Sequence, residues 1–66
     1  QLIDRLGAAV AALSEPLRVV YLLCELEELS GSEAATALGI PEGTVYRRLH
    51  DARVQLRRAL DARSKE

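Results

Sequence analysis

Phenylalanine, tryptophan and methionine are absent from these 66 residues, and only two tyrosines, two prolines, four glycines and one cysteine occur. Without large aromatic rings, a core has to be built mainly from 12 leucines and 10 alanines. Such side chains suit short, closely packed helices, and the shortage of aromatic and β-branched residues argues against a sheet. Few prolines and glycines leave most of the chain free to be helical. The lone Cys24 has no partner for an internal disulfide, in keeping with a reducing, cytoplasmic setting. No apolar run approaches the roughly 18 residues of a membrane span. No signal-peptide pattern appears either. One small all-α domain over residues 1–66 is therefore expected, near the lower size limit for folding alone. The chain opens on Gln1 rather than Met, so an excised piece of a longer protein is expected.

Reactive constellations are lacking as well. No nucleophile–base pairing, glycine-rich phosphate loop or paired carboxylates emerge, which argues against an enzyme. His50 is the sole histidine and has no Cys, Asp or second His at ligand spacing, so neither a metal nor a cofactor is expected.

Apolar spacing places four helices. The first covers about 2–12, with Leu2, Leu6, Ala9, Val10 and Leu13 recurring at helical intervals. Ser14 offers an N-cap and Pro16 falls in the first turn of the second helix, about 15–28. That helix is apolar on nearly all sides, leaving Arg18 and Glu25 for water, so it should be central. Cys24 reads as a small buried residue within it. Ser30-Gly31-Ser32-Glu33 forms a capping-box pattern opening the third helix, 31–38, which stops at Gly39. The fourth, about 42–62, carries the stripe Val45, Leu49, Ala52, Leu56 and Leu60.

The net charge of −1 hides an asymmetry. Residues 1–42 hold two arginines against seven carboxylates, a net of −5. Residues 43–66 hold Arg47, Arg48, Arg53, Arg57, Arg58, Arg63 and Lys65 against three carboxylates, a net of +4. Positive potential is thus concentrated on the fourth helix. Arg57, Arg58 and Arg63 serve equally well as the solvated side of a long helix.

Ala35, Gly39, Ile40 and Val45 have the spacing of a helix-turn-helix: a small residue, a turn glycine, then apolar anchors on both sides. At 100° per residue, the face opposite Val45 carries Gly43, Arg47, His50, Asp51 and Val54, with Tyr46 and Arg53 on one flank. Arg47 then sits where a recognition helix enters the major groove. Gly43 permits close backbone approach, and Thr44 with the first-turn N–H groups suits a phosphate. Arg48 points nearer the buried side and reads either as a phosphate contact or as half of an internal salt bridge.

The stretch from Leu13 to Leu60 resembles region 4 of the extracytoplasmic-function sigma factors, small members of the sigma-70 family. The carriers are Leu13, Glu15, Arg18, Leu22-Leu23, Leu29-Ser30, Glu33, Ala35, Leu38-Gly39-Ile40-Pro41, Gly43-Thr44-Val45, Arg48-Leu49 and Ala52-Arg53. The resemblance implies binding of the promoter −35 element, contact with the β flap of RNA polymerase, and masking by an anti-sigma factor. It puts base-facing positions at Tyr46, Arg47 and His50, with Arg48 and Arg53 nearer the DNA backbone or structural. The chain departs from the family pattern in four ways. Asp51 and Tyr46 stand where basic residues are usual, Gly31 where a large residue packs, and Ala34 and Ala37 where larger aliphatics seat the third helix. A shallower third helix and weak DNA affinity of the isolated, monomeric domain are expected. Two other readings stay open: a stand-alone helix-turn-helix regulator, or an interaction module that binds polymerase or an anti-sigma factor through its acidic half.

Overall fold

Four helices and no strand occur among the described residues of the computed structural model, which cover the backbone of 2–64 and the side chains of 4–61. They are α1 (Leu2–Ala12), α2 (Glu15–Glu25), α3 (Gly31–Leu38) and α4 (Glu42–Ser64). The side chains of Leu2 and Arg63, and Lys65 and Glu66 entirely, lie outside the described residues. At 1.5 Å per residue α4 is about 34 Å long, most of the 40 Å long axis. The other three helices pack along it.

The junctions show which local signals act. Ser14 holds the N-cap position of α2, but its hydroxyl makes no capping bond; only its carbonyl is used, accepting from the Arg18 N–H at 2.9 Å. Arg18 does not simply face water. Its Nη1 donates to Leu13 O at 2.8 Å and to Ala11 O at 3.3 Å, placing a cation on the carbonyl end of α1, where the helix dipole is negative. The capping box forms as expected: Ser30 Oγ accepts from the Glu33 N–H at 3.0 Å, and Glu33 Oε1 from the Ser30 N–H at 2.8 Å. Gly39 is left-handed, φ +68°, which lets the Ile40 N–H reach back to Ala35 O at 3.1 Å.

Helix α2 ends at Glu25, not Glu28 as its composition suggests. The residues are good helix formers, so tertiary demands decide. A helix continued to Glu28 would leave Leu29 alone to reverse the chain before the Ser30 cap. Instead the chain unwinds: Glu28 takes a left-handed φ of +58°, and the Leu29 N–H bonds to Leu23 O at 3.1 Å. Leu29 thereby packs against the core. A side chain in that conformation costs roughly 1–2 kcal/mol, while glycine there loosens the unfolded chain by about 0.5–1 kcal/mol. Glu28→Gly is therefore expected to raise stability by about 0.5 kcal/mol, read as a higher urea midpoint at constant m. A lower midpoint would show that the Glu28 side chain does something else.

Two apolar clusters form the core. Val20, Ala34, Ala35, Val45 and Leu49 make the first, binding α2, α3 and α4. Leu13, Ala52 and Leu56 make the second, under α1. Tyr21 borders both. Four of the five stripe positions on α4 are buried, and Leu60 is half-buried. Ala34 is fully buried, so α3 is seated on its small side chains rather than shallow, although Ala37 faces solvent. Beyond Ala62, α4 continues to Ser64, since no glycine or proline interrupts it.

Candidate nucleic-acid interface

Val45 and Leu49, both buried, fix the rotation of α4 about its axis. Their burial turns Gly43, Arg47, His50 and Asp51 outward, and all four are exposed. Among the described residues every buried side chain is apolar, so the charges lie on the surface. Among the described residues Arg47 makes no ion pair, and the one ion pair joins Arg53 to Glu25. A Cβ added to Gly43 would meet nothing within 4 Å, so no intramolecular contact requires glycine there.

The first turn is partly committed. The Thr44 N–H donates to Pro41 O at 3.0 Å and the Val45 N–H to the same oxygen at 3.3 Å. Thr44 is half-buried. The N–H groups of Glu42 and Gly43 have no backbone acceptor, so they, rather than Thr44, are the first-turn donors. Arg48 is half-buried beside Glu15, Pro16, Val19, Leu38 and Ile40. The internal salt bridge considered for it forms at Arg53 instead, whose Nη2 lies 2.6 Å from Glu25 Oε2. That pair is well exposed and is worth about 0.2–1 kcal/mol, but it ties α4 to the end of α2.

Tyr46 is held in place rather than projecting. It is 53% exposed, yet its ring lies over Gly31, and its hydroxyl donates to Glu42 Oε2 at 2.8 Å. This hydrogen bond, with the negative charge of the same carboxylate, holds the phenol above its ordinary pKa of 10.0. Sequence spacing missed the arrangement because Gly31 and Tyr46 are far apart in the chain. The two departures from the family pattern, a missing bulky residue at 31 and an aromatic one at 46, turn out to occupy one place.

A second surface also escaped sequence reading. Leu6, Gly7, Val10, Tyr21, Leu22, Glu25 and Leu26 line an open apolar groove of about 320 Å³ between α1 and α2. Leu26 is 70% exposed. The central helix is α4 rather than α2, against what the composition of α2 suggested. Helix α2 packs on α4 and α3, only Val20 of it is fully buried, Cys24 is half-buried, and one apolar strip remains uncovered.

A buried small residue, a left-handed glycine and a helix rotated by two apolar seats define a helix-turn-helix. A family model described as sigma-70, region 4 matches residues 3–56. The chain belongs to the sigma-70 region 4 family. ECF RNA polymerase sigma factor SigE of Mycolicibacterium smegmatis is 41% identical over 61 residues, covering 92% of this chain and 24% of that protein. The chain thus spans about a quarter of that relative's length. No solved structure matches. Region 4 is the helix-turn-helix, DNA-binding part of a sigma factor and serves transcription initiation. The matched residues include α1 from its second residue, α2, α3 and the first part of α4; Arg57 and Arg58 lie just beyond them.

Proposed function

We propose that the chain recognises the promoter −35 element as region 4 of an extracytoplasmic-function sigma factor, by laying the start of α4 in the major groove. The observation that carries this reading is Arg47: exposed, without a carboxylate partner among the described residues, and held outward by buried Val45 and Leu49. A guanidinium so placed forms paired hydrogen bonds with a guanine edge. His50 lies on the same face. The free N–H groups of Glu42 and Gly43 bring the first turn to a phosphate, and Arg48 approaches the sugar-phosphate backbone. Arg53 reaches a phosphate only by leaving Glu25.

Titration of a −35 duplex against a scrambled one, over a range of salt, tests the proposal. With three to five phosphates neutralised, log K is expected to fall with log salt at a slope of roughly −3 to −4.5. Equal affinity for both duplexes would refute sequence recognition. Absence of binding even at low salt would favour the interaction module.

A second surface fits a protein partner. The uncovered groove around Leu6, Leu22 and Leu26 suits the apolar face of an amphipathic segment, and we assign it to the β flap of RNA polymerase or to an anti-sigma factor. Leu26→Glu is expected to weaken polymerase binding about tenfold or more, and to leave duplex affinity unchanged. Loss of both together would show that the substitution acts through the fold.

A further inference from the structure

Gly31 and Glu42 are the first residues of α3 and α4, and a single side chain reaches both. A Cβ built on Gly31 would fall 2.5 Å from Tyr46 Cζ and 2.6 Å from its Oη. Real carbon contacts do not close to that distance, so any residue other than glycine displaces the ring. The displaced group would be the ring itself, since it is half-exposed and can swing into solvent. One helical turn before Tyr46, Glu42 Oε2 accepts a hydrogen bond from the phenolic hydroxyl. The ring is therefore fixed at two points, one on each helix.

We propose that Tyr46 is a positioning residue, admitted by Gly31, which locks the start of α4 against α3 and is thereby withdrawn from base reading. The row that faces outward is then Gly43, Arg47, His50 and Asp51, and sequence preference falls to the last three. The lock sits at the turn that aims α4, where a small rotation moves every side chain of that row. Its second half, the withdrawal from base reading, rests on the DNA-binding reading above; the lock itself does not.

Stability tests the lock without DNA. Gly31→Ala, Tyr46→Ala and the double variant form a cycle. Alanine at 31 improves helix propensity, so in the Tyr46→Ala background it is expected to raise the urea midpoint. With the ring present, the same change is expected to leave the midpoint unchanged or lower it, because the ring must leave. Equal shifts in both backgrounds would overturn the proposal.

Ionisation provides an independent reading. In a Tyr21→Phe background Tyr46 is the only tyrosine, and its phenolate absorbance can be followed alone. Both Glu42→Gln and Gly31→Ala are expected to lower its midpoint toward the ordinary value. Gly31→Ala alters neither partner of the hydrogen bond, so a fall there reports the seat of the ring; an unchanged midpoint in that variant counts against the lock.

On DNA, Tyr46→Ala is expected to weaken binding several-fold and evenly across duplexes that differ at single base pairs. A loss confined to one base pair would make Tyr46 a base reader and overturn the withdrawal. If the unaltered chain binds no duplex, the promoter reading fails, while the stability cycle still decides the lock.

Discussion

Truncating Arg47 to alanine is expected to weaken binding to a −35 duplex by about 1–3 kcal/mol, some 5- to 150-fold, and to relax preference at one base pair. The size follows from what is lost. A guanidinium in the major groove makes two aligned hydrogen bonds to a guanine, and no neighbouring side chain can replace them. Tyr46 is held on Gly31 and Glu42, Arg53 on Glu25, and Arg48 is half-buried. Asp51, exposed on the same face, repels phosphate and leaves Arg47 little help in holding the DNA. Arg47→Lys separates the two parts of the effect. It keeps the charge but loses the planar fork, so the salt slope should hold while base preference falls. An Arg47→Ala variant that binds the −35 duplex as well as the parent would remove Arg47 from the site.

Leu49→Ala, two positions along the same helix, is expected to act on the fold instead, lowering stability by about 3 kcal/mol. Leu49 is 8% exposed and packs with Val20, Ala34, Ala35 and Val45, where α2, α3 and α4 meet. Removing its branched end loses both the transfer energy and the contacts around the resulting void. A chain of this length has a total stability on the order of 3–10 kcal/mol, so the change removes between roughly a third and all of it. Urea titration checks this through a large midpoint shift. Leu26→Ala is the internal control: at 70% exposure it should change stability by no more than about 0.5 kcal/mol. A loss below about 1 kcal/mol for Leu49→Ala would mean that the cluster repacks around the smaller side chain. The contrast between Arg47 and Leu49 reflects helix geometry, since two residues along a helix is a rotation of about 200°.

Much of this molecule was legible from one dimension because its signals are local. Ser30 and Glu33 sit three apart, and the capping box needs nothing else. Gly39 ends α3 because a left-handed residue after a helix is a local conformational choice. The stripe Val45, Leu49, Ala52 and Leu56 is set by the helical repeat, and its burial follows. With those, Arg47 and His50 had to face outward. The all-helical class, the helix-turn-helix and the family were determined in this way by the sequence itself.

Other features depended on residues brought together by folding. The end of α2 at Glu25 was decided by the need to bury Leu29 and reach the Ser30 cap, against good local helix propensity. Arg18 became a cap on α1 and Arg53 a tie to Glu25 only when the helices packed. The groove at Leu6, Leu22 and Leu26 exists because α1 packs mainly on α4 and leaves one side of α2 uncovered. Tyr46 shows the division best. Its position on the helix wheel put it beside the DNA-facing row, and periodicity can assign no more than a direction. Whether a side chain in that direction is free or held depends on a glycine in another helix, and that contact is set only by the packing of α3 on α4.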